Sequence, residues 1–300
     1  MNSRERVKRV LNREKPDRLP FNFWMDRDLM KKLDERFGEN FRVTHYGADV
    51  IETFIQAEWF PELDRGYVTD ETTSWQTKPL IDSVMEAGKL LMPYAGDERI
   101  YDLIRSDRMN YLDKALFALV TTPLDILLAL RMFEGMFLDL YDYPDETEAF
   151  LHQAGDTLAE MVGRICRLDV DVIYIAGDIC SAKGPLMSRE QLRRFCFEPV
   201  KKMVSEAKYA GIPVFYHTDG AVTDILDLFV EYGYDGINPL QPHLNDIRHF
   251  NREYGDKLLL YGGLDNCFII PDGSPEQVEK HVKDTFEVLG RNGGLIASSH

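Results

Sequence analysis

Ile212-Pro213-Val214-Phe215-Tyr216-His217-Thr218-Asp219-Gly220 decides the fold. The run is apolar from Ile212 to Tyr216, with no alternating polar residue to face water. A strand of that kind is buried on both faces, as in a parallel sheet covered by helices. Its polar residues come only at the carboxyl end. Going outward, 223–232 reads as a helix stopped at Gly233, and 234–237 as the next strand. Before it, 170–175 is a strand, and Ser188 with Gln191 is a capping-box signature for a helix that Pro199 restarts. Pro144, Asp145 and Glu146 open another helix. Its apolar residues Leu151, Ala154, Leu158, Met161, Val162 and Ile165 share one face. Residues 116–121, 257–261 and 293–297 complete the strands of this region. Ser274, Pro275 and Gln277 start the helix between the last two, and Val278, Val282, Phe286 and Leu289 mark its buried face.

The first third is less regular. Residues 3–13 form a charged amphipathic helix, 19–24 an apolar run of strand length after Pro16 and Pro20, 49–55 a strand, and 66–80 an alternating hairpin. Counting from Leu19 gives about eight strands alternating with helices. No GxGxxG follows any of them, which disfavours a doubly wound sheet. The fold class is therefore α/β, a (β/α)8 TIM barrel, in a single domain over 1–300. No helix follows the last strand before His300. The expectation is a barrel lacking its last helix, C-terminally truncated, whose uncovered strand invites a homodimer.

The 300 residues are 44% hydrophobic and 29% charged, a globular balance. A net charge of −16 excludes nucleic acid as a partner, since binding it needs a basic face. The four cysteines form no CxxC pair and read as reduced thiols of a cytoplasmic protein. The opening residues hold no apolar leader. The longest apolar stretch is broken by Pro123 and Asp125, so it does not suit a membrane span.

Each late strand ends in polar residues: Asp178; His217 and Asp219; Asn238 and Gln241; Asp265 and Asn266; Ser298, Ser299 and His300. In a barrel these ends meet at one mouth, where catalysis occurs. Singly, each has a structural reading. His217 is then a satisfied core histidine and Asp219 a helix cap. Asn238 and Gln241 serve loop backbone, and Asp178 caps a loop. Trp24, Trp59 and Trp75 are core, and Lys183 is solvated. Five such ends in succession favour a site with Asp178 at the substrate. His217 and Asp219, two apart in an extended segment, point to one side.

Four runs carry a family resemblance: Gly184-Pro185-Leu186-Met187-Ser188, Pro213 through Gly220, Asp235-Gly236-Ile237-Asn238-Pro239-Leu240-Gln241-Pro242, and Tyr261-Gly262-Gly263-Leu264-Asp265-Asn266. They resemble the uroporphyrinogen decarboxylase superfamily, most closely its corrinoid-linked methyltransferase branch. Arg4-Glu5-Arg6 and Lys15-Pro16-Asp17-Arg18-Leu19-Pro20 fit the same branch. The resemblance implies a (β/α)8 barrel and either decarboxylation or methyl transfer.

Two departures narrow that choice. The decarboxylases hold an octa-anionic porphyrinogen with paired arginines after the first strand. Here the segment is Phe21-Asn22-Phe23-Trp24-Met25-Asp26-Arg27, one arginine beside an aspartate, too few cations for eight carboxylates. The thiol-methylating branch holds zinc with His-x-Cys and a later cysteine. Here His217-Thr218-Asp219 and His300 stand at those positions, a harder donor set. The resemblance thus implies metal-assisted methyl transfer between a small O- or N-methylated compound and a corrinoid protein. His217, Asp219 and His300 would hold the divalent metal, zinc in the family, and Asp178 and His217 would be catalytic. Trp24, Tyr216, Asn238, Gln241, Asp265 and Asn266 would line the substrate. The alternatives are a decarboxylase of a less charged substrate, with Asp178 stabilising a cationic intermediate, and a non-catalytic barrel that binds a corrinoid or its protein.

Overall fold

Largely apolar runs give the sheet its strands, which lie parallel and side by side in sequence order. They are β1 (Val50–Phe54), β2 (Ala115–Thr121), β3 (Val172–Ala176), β4 (Val214–His217), β5 (Gly236–Asn238), β6 (Leu259–Gly263) and β7 (Leu295–Ser298). This computed structural model describes residues 1–61, 63, 67–69, 74–290 and 293–299.

The gap between β7 and β1 is closed by the backbone of residues 20–22. Pro20 O accepts from Ala297 N (2.9 Å), Asn22 N donates to Ala297 O (2.9 Å), and Phe21 O accepts from Asp49 N (2.8 Å). The strand expected over 19–24 is thus a single bridge at Phe21. Pro20 has no N–H to offer a ladder, and the Phe21 N–H is taken by the Asp49 side chain at 3.0 Å.

Alternation sorts the strand residues into two cores. Val50, Phe117, Val172, Tyr174, Phe215, Tyr261 and Ile296 fill the barrel interior. Their neighbours Ile51, Leu116, Ala118, Ile173, Ile175, Tyr216 and Leu295 pack outward against the helices. Phe117 meets Phe215 and Tyr261 edge-on inside, at 5.9 and 5.4 Å between centroids. The helix Ser3–Leu11, started by an Asn2 capping box, seals the amino-terminal end with Val7 and Val10. Its arginines are bolted there. Arg6 reaches Asp17 and Asp49 (both 2.7 Å), and Arg4 reaches Asp169 and Asp171 (2.6 and 2.8 Å). Arg108 adds a second hold on Asp171 at 3.0 Å, and Arg18 one on Asp49 at 2.6 Å.

The capping boxes at Ser188 and Ser274 form as the sequence suggests. Pro199 sits in the first turn of the α-helix Glu198–Tyr209, as expected of a restart. The chain widens into a π turn over Leu192–Phe197 and continues as Glu198–Tyr209, so the missing proline N–H is absorbed without a break. Residues Tyr67–Thr69 and Ser74–Gln76 pair antiparallel, as expected of a hairpin. Among the described residues no helix is long and apolar enough to cross a membrane. A cavity of about 1000 Å³ lies on the outer wall beside β7. Leu19, Phe21, Leu264, Val278, Val282 and Ala297 line it.

Candidate active site at the barrel mouth

His217 is the last residue of β4 and shares the interior face with Phe215, so its ring looks up into the mouth. Its Nδ1 lies 2.6 Å from Asn238 Oδ1 and 3.2 Å from Tyr174 Oη. Asn238, buried at the end of β5, donates its own amide N–H to Tyr261 O (2.5 Å), which fixes Oδ1 as the acceptor. Tyr174 donates to the same oxygen at 2.5 Å. The Nδ1 side of the His217 ring therefore carries a proton toward Asn238. Nε2 faces Asp178 Oδ1 at 3.9 Å. Asp178 follows β3 and takes the Asp219 N–H at 2.9 Å, which ties the two strand ends together. Ligand atoms of Asp178, His217 and Asp219 all lie within 4.8 Å of one another.

A second chain of polar contacts crosses the interior below. Tyr261 donates to Glu52 of β1 and accepts from Asn22 Nδ2 (2.6 Å). Asn22 Oδ1 in turn accepts from the buried Arg42 (3.2 Å), whose guanidinium lies 4.2 Å from the Trp24 ring centre. Burial, reinforced by the Glu52 charge, pushes the Tyr174 and Tyr261 phenols well above their usual range, so both stay protonated donors. Beside β3, Asp125 pairs with Thr122 Oγ1 at 2.8 Å. Desolvation, with the Asp178 charge nearby, pushes its carboxyl up to about 6.

The structure brings His217 and Asp219 together as the sequence suggests and adds Asp178 to them. His300 lies outside the described residues. Asn238 is beside His217, but as its orienting partner. Gln241 accepts from Gly220 N (2.8 Å) and so holds loop backbone. Asp265 is buried and accepts the N–H groups of Cys267 and Phe268 (both 2.9 Å). Trp24 and Asn266 line the outer-wall cavity. Tyr216 must be corrected. Its parity is opposite to that of His217, and it is buried outside the sheet against Phe197, Phe229 and Tyr234. Glu52, Asn22, Tyr174, Tyr261, Arg42 and Asp125 were missed. Only Glu52 carried a signal, as a lone charge inside the apolar strand Val50–Phe54.

Structural comparison finds a methyltransferase from Methanosarcina mazei with a TM-score of 0.73 and 15% identity, covering 100% of this chain and 92% of that one. A B12-independent methionine synthase from Shewanella sp. W3-18-1, in complex with selenomethionine, aligns at a TM-score of 0.47 and 10% identity, over 76% of this chain and 61% of that one. No curated protein matches the sequence. The family model described as uroporphyrinogen decarboxylase (URO-D) matches residues 68–300. That match takes in β2 to β7 with every strand end of the mouth from Asp178 to Ser299, and the chain belongs to the uroporphyrinogen decarboxylase family.

Proposed function

We propose that this protein is a methyltransferase that moves a methyl group between a small O- or N-methylated compound and a corrinoid carried by a partner protein. The observation that carries the reading is the Asp178–His217–Asp219 cluster, from two neighbouring strand ends of one mouth. The cluster fits a divalent cation. One nitrogen of His217 is held by Asn238 so that the other turns toward two carboxylates, the arrangement by which outer partners orient a metal-binding imidazole. The donors are nitrogen and oxygen, which suit a harder cation than a thiolate set does. Such a cation, when bound, polarises the oxygen or nitrogen that leaves the methyl group.

The chain's own residues orient and enclose. Asn238 and Tyr174 fix the His217 ring, and Asp178 anchors the Asp219 backbone. The cobalt chemistry would belong to the partner's cofactor. The M. mazei neighbour, a methyltransferase of the same fold, supports this reading.

The test is elemental analysis of the purified protein together with methyl transfer to cob(I)alamin. The expected result is bound divalent metal and transfer, both lost in His217→Ala. Normal transfer by a metal-free protein would remove the cluster from this role. Release of CO2 from a small carboxylate without methyl transfer would favour a decarboxylase.

A further inference from the structure

We propose that His243, Asp265 and Cys267 form a second divalent-metal site, on the loops that follow β5 and β6. It uses none of the residues of the Asp178 cluster and does not rest on the methyl-transfer reading. Ligand atoms of the three residues lie within 4.8 Å of one another, and His243 Nδ1 is 3.9 Å from Asp265 Oδ1.

The set is held in place by what surrounds it. Asp265 Oδ1 accepts the backbone N–H groups of Cys267 and Phe268, which folds the turn so that the thiol lies beside the carboxylate. The Asp265 N–H donates to His281 Nε2 at 2.9 Å, pinning the turn to the helix Pro275–Thr285. The His243 ring rests edge-on against Phe268 at 5.2 Å. Among the described residues no lysine or arginine pairs with Asp265, although its side chain is only 9% exposed. A carboxylate that far from water calls for a positive partner. A cation shared with an imidazole and a thiolate would supply one.

Cysteine, histidine and aspartate are the ligand types of zinc-class ions, and three protein ligands leave a fourth position open. That position would take water or an anionic or thiol group of a bound ligand. Cys267 is exposed.

The two clusters differ in one way that an experiment can read: only this one contains sulfur. Cobalt(II) is titrated into the full-length His217→Ala variant, and the near-ultraviolet thiolate-to-cobalt charge-transfer band is followed. The expected result is a band that saturates at one equivalent and disappears when Cys267→Ser is added. Adding His243→Ala should weaken cobalt binding by at least the roughly tenfold cost of losing an outer-shell partner. Both added substitutions fall on loops, and circular dichroism checks that each variant is folded. Absence of the band in folded protein, or a band that survives Cys267→Ser, overturns the proposal. Failure of methyl transfer would leave this result untouched.

Discussion

Asn238 decides which nitrogen of His217 is offered to the mouth, because its Oδ1 takes the Nδ1 proton. Asn238→Leu should therefore cut kcat about 10- to 100-fold, the usual effect of losing such a partner. KM should change little, and Asn238→Asp, which still accepts, should retain more activity. Steady-state kinetics on folded variants reads the split. Asp125 gives a pH prediction. Its proton is held more tightly in the folded state, at about 6 against an ordinary 3.8. The folded state then binds more protons between these values, so this group's contribution to stability falls as pH rises from about 4 to 6. Asp125→Asn should be more stable than wild type at pH 7 by about 1–2 kcal/mol, discounted for partial exposure, and equal to it below pH 4. Urea unfolding at the two pH values measures this. At this scale the sequence was readable where parity was respected. His217 and Asp219 follow from their two-residue spacing, and Tyr216 fails because its neighbour already faces inward. Tyr174 and Tyr261 were hidden because a tyrosine in an apolar strand looks like core from either face.

The helices were legible from their caps, and the strands from their lack of polar residues. The parallel strands moved by one or two residues, and the run over 19–24 changed its nature, because Asp49 captures the Phe21 N–H that a longer ladder would use; the buried face expected at Val282 and Phe286 is instead exposed, at 37% and 41%. Packing between helices was not legible. Gly155, inside Pro144–Ile165, faces Pro199 of the neighbouring helix, and a Cβ there would lie 2.0 Å from the Pro199 carbonyl oxygen. Gly155→Ala improves helix propensity by about 1 kcal/mol, yet overpacking costs about 1–3 kcal/mol. The expected outcome is a lower urea midpoint than wild type, and a raised one would show that the two helices can separate.

The charge of −16 and the acidic mouth, with Asp178, Asp219 and Asp265, set what the whole molecule can admit. A polyanionic porphyrinogen would be repelled there. Uroporphyrinogen should not be decarboxylated at the ~1 s⁻¹ or faster expected of a true substrate, as product analysis would show. At the opposite end, Asp171 is buried and holds Arg4, Arg108 and the Leu116 N–H. Asp171→Ala should cost about 3–5 kcal/mol, since it strands buried guanidinium groups, and thermal unfolding would register the loss. The closure at Phe21 and Ala297 has a consequence for how the molecule is made. These partners stand far apart in the sequence, so the ring can be sealed only after β7 has been synthesised. Until then both margins of the sheet stay open, and the nascent chain passes through a sticky, unsealed form whose lifetime is set by the slow search for its most distant contact.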